Sequence, residues 1–202
     1  MNERIAKNIN ENHPYKGLRI LSVKTQSTGF VIMRGSFKGG WTYSLENTMI
    51  PAILVEMLSK GTKKHSKKEI REMIERKGAE INFSHDAYCI YFSVRCLVED
   101  VREMINILGE ILLVPELSKK ELTLLKSQMI TDEMENKTNP EWMGAEALTR
   151  LLYPKDHFHY LRTPAQRVTD IQRVKKADLV HFHKKVSGIG SMIAVLGGDI
   201  EK

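Results

Sequence analysis

Histidines and carboxylates are the side chains here that could carry catalytic chemistry, and their spacing limits what that chemistry is. Four of the seven histidines form two His-x-His pairs, His157 with His159 and His181 with His183. Neutral imidazole is the commonest protein metal ligand, so each pair is a candidate for part of a metal site. His181 and His183 fall in a stretch of helical periodicity, where residues two apart point about 200° away from each other and cannot share one ion. His157 and His159 lie in a loop bounded by Pro154 and Pro164. For both pairs a surface or packing role is favoured over a metal. Asp132, Glu133 and Glu135 offer carboxylates for general acid and base work, against the plainer reading of an exposed helical face.

Other catalytic signatures are missing. The sequence has no phosphate-binding Gly-x-x-x-x-Gly-Lys-Ser/Thr loop, no dinucleotide glycine fingerprint after a strand, no Cys-x-x-Cys and no Gly-x-Ser-x-Gly. Its two cysteines, Cys89 and Cys96, sit along a run that reads as a strand. Extended chain separates them by roughly 23 Å, far beyond the reach of a disulfide, so they are expected to be free thiols. Free thiols suit a reducing compartment, and residues 1–8 lack the apolar segment of a secretory signal; a cytoplasmic location is the expectation. No stretch is long and apolar enough to span a bilayer. Lys60, Lys63, Lys64, Lys67, Lys68 and Arg71 concentrate part of a net charge of +6. Without interleaved aromatics or a nucleic-acid motif, this cluster reads as a solvated face, and no nucleic-acid partner is expected.

The elements that must hold these residues follow from hydrophobic periodicity. With 202 residues, 42% of them hydrophobic, and no linker or break in composition, the chain reads as a single domain over 18–202 preceded by a polar, poorly ordered leader over 1–17. Residues 18–25 and 30–35 alternate with period two around Gln26-Ser27-Thr28-Gly29, which predicts a hairpin. A helix over 45–60, opened by Ser44, is apolar on nearly every face and is expected to be buried on both sides. Ser66 with Glu69 forms a capping box for a second helix, which stops at Gly78. Strands over 79–83 and 87–95 follow, with Ser84, His85 and Asp86 as their turn. Further helices are predicted over 98–113, from a second capping box at Ser118 and Glu121 to Asn139, over 142–152 and over 176–186, with a closing strand over 191–196. Strands in pairs and helices in runs predict an α+β fold, an antiparallel-rich sheet backed by helices.

Several of these segments, taken in order, resemble the insulinase, pitrilysin and mitochondrial processing peptidase superfamily of zinc metallopeptidases. They are residues 52–62, 66–79 and 118–140, then Leu152-Tyr153-Pro154 with His157, Asp178-Leu179 with Phe182-His183, and Gly198-Asp199-Ile200. The resemblance implies a processing-peptidase-like half-shell domain that pairs with a second similar domain around an unfolded peptide. Active members carry His-x-x-Glu-His on the first buried helix and take a third zinc ligand, a Glu, from a helix far downstream; the Glu of the motif is general base to zinc-bound water. Matching the segments places Ala52 and Glu56 at the two His positions, Val55 at the general base and Glu133 at the downstream ligand. Ala52 has no donor atom and Val55 cannot accept a proton. The implied reading is a degenerate site with no catalytic residue and no zinc of its own, zinc being a cofactor of the family's active domains. The expected function is a non-catalytic domain that pairs with a second such domain, or with a further copy of itself, and helps enclose peptide, an exposed strand edge being the means. The alternatives are a structural scaffold subunit without peptide binding and an active metallopeptidase or other enzyme with an atypical site, built for example from His157, His159 and Glu133.

Overall fold

The computed structural model describes residues 9–25 and 29–199. Its six strands form one sheet in the order β1-β2-β6-β3-β5-β4. They are β1 (Ile9–Tyr15), β2 (Leu18–Lys24), β3 (Phe30–Lys38), β4 (Glu80–His85), β5 (Cys89–Leu97) and β6 (Met192–Gly198). Seven α-helices are found among the described residues: α1 (Met49–Leu58), α2 (Lys67–Glu75), α3 (Val101–Leu113), α4 (Lys119–Asn136), α5 (Pro140–Leu152), α6 (Pro164–Arg173) and α7 (Lys176–Val186). The α+β expectation holds, with β2 and β6 as the single parallel pair among the described residues.

Two expectations for the sheet change. The polar leader becomes a strand from Ile9, paired antiparallel with β2 across a turn at Gly17, whose φ of 86° suits glycine. Residues 9–15 are exposed along their whole length, so apolar periodicity could not reveal them; backbone hydrogen bonding to a free strand edge needs no apolar side chain. Residues 1–8 lie outside the described part, as do residues 26–28 of the expected turn. The expected hairpin of β2 and β3 is opened by β6, which lies between them, parallel to β2 and antiparallel to β3. Alternation marks each run as a strand with one face buried, but not which strand lies beside it.

Helix boundaries shift for local reasons. The first helix begins at Met49, because Ser44 instead donates from its hydroxyl to the Asn47 carbonyl in a turn (3.0 Å). It is also not buried all round: Ala52 is half-buried and Glu56 exposed. The β4–β5 turn moves by two residues, since Asp86 Oδ1 accepts from the N–H groups of Tyr88 and Cys89, both at 2.8 Å. The capping box of Ser66 and Glu69 forms, whereas Ser118 makes no capping bond and Glu121 reaches Lys67 at 3.2 Å. Helix α6 is additional; its signals were a capping box of Thr163 and Gln166 with Pro164 in the first turn. Asn139 caps α5 by accepting from the N–H groups of Glu141 and Trp142.

The helices cover one face of the sheet. Val31, Met33, Phe37, Ile90, Phe92, Val94 and Ala194 point into the core, while Phe30, Ile32, Tyr91, Ile193 and Val195 are exposed on the other face. Cys89 and Cys96 are free thiols on β5. The basic cluster is a solvated, ion-paired face, with Lys68 beside Glu72 (3.6 Å) and Arg71 beside Glu75 (2.8 Å). No helix among the described residues is long and apolar enough to cross a membrane. His181 is exposed, and His183 donates from Nε2 to the Leu112 carbonyl at 2.7 Å, closing the end of α3.

Two outcomes follow. Ser66→Ala should cost about 1 kcal/mol in urea unfolding, and Ser118→Ala less than about half of that, because only the first hydroxyl caps a helix. Burial holds His183 below the ordinary imidazole range, so the native state binds fewer protons than the unfolded chain. Its contribution to stability is complete above the unfolded value of about 6.5 and is lost as pH falls from there. His183→Gln should therefore flatten the decline of stability between about pH 7 and pH 5 measured by denaturant unfolding.

Candidate functional site

Helix α1 sets the site. Its residues Pro51, Ile53, Leu54, Val55, Met57 and Leu58 are buried, which leaves Ala52 and Glu56, one turn apart on one face, as the stripe the core does not cover. At the Ala52 end of that stripe lies a cavity of about 550 Å³. Ala52 and Met49 of α1, His85 at the end of β4, Glu133 of α4, Trp142 of α5 and Arg167 of α6 line it, with Trp41, Tyr153, Phe158 and His159 as further aromatic wall. The structure thus brings Ala52 and Glu133 to the same cavity. Val55 faces the core at 4% exposure, and Glu56 is exposed outside the lining.

The candidate set of His157, His159 and Glu133 does not assemble. His159 shares the cavity with Glu133, but His157 is not in the lining and stacks on Tyr153 with ring centroids 4.6 Å apart. Among the described residues no three of His, Cys, Asp and Glu are grouped as a metal would require.

Glu133 is committed elsewhere. Arg167 donates from Nε to both of its oxygens, each at 2.9 Å, and from Nη2 to Oε2 at 2.7 Å. The same Nη2 donates to Glu146 Oε1. Glu146 also accepts from Trp142 Nε1 (2.7 Å) and Arg150 Nη1 (3.1 Å). Burial by itself would raise the Glu146 carboxyl, but hydrogen bonds from Arg167, then Arg150, outweigh it and hold the group below its ordinary value. Arg167 and Glu146 are both buried. Sequence reading missed this network. The only local trace of it is Trp142, Glu146 and Arg150 at four-residue intervals, one face of a helix; Arg167 sits on the helix that was not expected.

His85 completes the cavity. It meets the Trp41 ring edge-on with centroids 5.9 Å apart, and its Nδ1 is a buried nitrogen without a hydrogen-bond partner. Burial lowers its pKa, against the carboxylates of Asp86 and Glu56, so the ring is neutral near pH 7. Trp41 is tied to the His-rich loop by its Nε1, which donates to the Phe158 carbonyl at 3.0 Å.

These residues do not fit zinc. The ion needs about three protein ligands; Ala52 and Val55 have no donor atom, and Glu133 already accepts from a guanidinium at both oxygens. The arrangement is suited to binding instead: a largely aromatic cavity opens where the edge strand β4 ends. Because the Arg167 cluster is buried, Arg167→Met should destabilise the protein by about 3 to 5 kcal/mol in denaturant unfolding, leaving Glu133 without its cation and Glu146 with Arg150 alone. Adding Glu133→Gln and Glu146→Gln to that variant should recover part of the loss.

The model of the insulinase family, peptidase family M16, matches residues 47–159. The non-peptidase homolog YmxG of Helicobacter pylori (strain ATCC 700392 / 26695) is 23% identical over 174 residues, 86% of this chain and 39% of its own length. Among solved structures, a peptidase M16 inactive domain from Pseudomonas fluorescens superposes with a TM-score of 0.87 at 21% identity, over 96% of this chain and 47% of that one. A protease from Helicobacter pylori gives 0.86 at 18% identity, over 96% and 47%. The periplasmic protease PqqL from Escherichia coli gives 0.83 at 17%, over 97% and 22%. The chain therefore spans less than half the length of each of these proteins, and the structural likenesses establish the fold. With the family model covering more than half of its residues, the chain belongs to the insulinase family, peptidase family M16.

Proposed function

We propose that this chain is a non-catalytic half-shell domain that pairs with a second similar domain and holds an extended peptide without cutting it. One observation carries the reading: the only carboxylate lining the cavity among the described residues, Glu133, is consumed by Arg167, and it shares that cavity with Ala52. In the register proposed here these are the places of the downstream ligand and the first His, and buried Val55 is the place of the general base. None of them can hold a metal or take a proton from water. The names of two relatives, a non-peptidase homolog and an inactive domain, agree with this.

Peptide would enter by strand addition. β4 is an edge of the sheet, so one row of its backbone groups is unpaired and can bond an extended chain. Its last residue, His85, lines the cavity, which places an aromatic pocket at the end of the added strand. Pairing with a second domain is supported by length, since this chain spans 47% of two of the related structures. The exposed Phe30, Ile32, Ile193 and Val195 on the uncovered sheet face agree with such a contact.

The test is fluorescence anisotropy with an unfolded peptide rich in Phe and Leu. Ala52→Phe fills the cavity with a side chain whose burial is worth about 1.5 to 3 kcal/mol, so it should weaken peptide binding about tenfold or more while the circular dichroism spectrum stays unchanged. The wild-type chain should leave the peptide intact. Cleavage abolished by a chelator would overturn the reading, binding indifferent to Ala52→Phe would overturn the role of the cavity in it, and no peptide binding by the wild-type chain would favour the scaffold alternative.

A further inference from the structure

We infer that Arg167 is a built-in cation that bars metal from this site and cross-links three helices around it. The inference rests on the proposed register of Ala52, Glu56 and Glu133, and it goes beyond the loss of ligands. Restoring the missing imidazoles would leave Glu133 still forked by Arg167, with a full positive charge fixed in the lining of the same cavity. The guanidinium cannot be deprotonated in a protein. Buried charges are screened far less than exposed ones, so the repulsion of a divalent cation is not relieved by salt.

Arg167 is also held too firmly to swing aside. It donates to Glu133 of α4, to Glu146 of α5 and from Nη1 to the Arg162 carbonyl just before α6. Glu146 is the one buried residue of α5. The helix that contributes Trp142 to the cavity wall is therefore fastened to the domain through this cation, while its Met143, Leu148, Leu151 and Leu152 stay exposed. Moving Arg167 would strand Glu133, leave Glu146 to Arg150 alone and loosen α5, a large cost where charge is buried. Metal is thus excluded twice, once by missing donors and once by a cation the fold requires.

The test compares two variants of the full chain. The first carries Ala52→His and Glu56→His, two imidazoles one turn apart that with Glu133 make three ligands. The second adds Arg167→Gln. Zinc affinity is measured by competition with a chromophoric chelator, and cobalt(II) absorption reports tetrahedral coordination. The inference expects no stoichiometric site in the first variant and zinc affinity higher by on the order of a hundredfold or more in the second, since a like charge bonded to the Glu133 ligand has been removed. Further addition of Glu133→Gln should abolish that gain. Stoichiometric zinc in the first variant would overturn the role of Arg167 while upholding the register. A folded second variant that binds no zinc would overturn the register, and the inference with it. Should the second variant not fold, Glu146→Gln is added to relieve the unpaired carboxylate, and the same comparison decides.

Discussion

The burial of α1 is the constraint on which the rest of the domain depends. Ile53, Leu54, Met57 and Leu58 lie at 2% exposure or less, each worth about 1.5 to 3 kcal/mol when taken from water. A ten-residue helix with apolar groups on most sides must be enclosed, and β4, α4, α6 and α7 pack around it. Only the stripe of Ala52 and Glu56 is spared. The cavity is a consequence: where the enclosure is incomplete, the neighbouring elements present Glu133, His85 and Trp142 to the same space.

Charge then decides what that space can do. A buried carboxylate is tolerable only when paired and hydrogen-bonded, and Arg167 satisfies two of them at once. A Glu whose oxygens both accept from a guanidinium has no lone pair to offer an ion or a proton in the same direction. The network that stabilises the domain therefore also suppresses the chemistry that a free Glu133 would allow. What remains is an edge strand that ends at an aromatic cavity.

The caps show how far local pattern reaches. Ser66 and Glu69 close a capping box, yet Ser118 and Glu121 have the same spacing and do not. The difference is a tertiary partner, since Glu121 turns to Lys67 on another helix. The same limit explains the sheet. Period-two alternation in residues 18–25 and 30–35 was legible, but the insertion of β6 between the two strands depends on residues far away in sequence. The strand over residues 9–15 has no apolar face and so leaves no periodic signal.

By itself the sequence determined the α+β class, the helix α1 that must be buried, and the absence of donor atoms from the side chains of Ala52 and Val55, because these are properties of residue type and short-range spacing. Only the tertiary structure decided that Glu133 shares a cavity with Ala52, that Arg167 occupies its oxygens, and that Glu146 is the buried anchor of α5. Those facts join residues 21 to 81 positions apart on separate helices. A buried charge finds its partner through packing, and no local periodicity records which partner that will be.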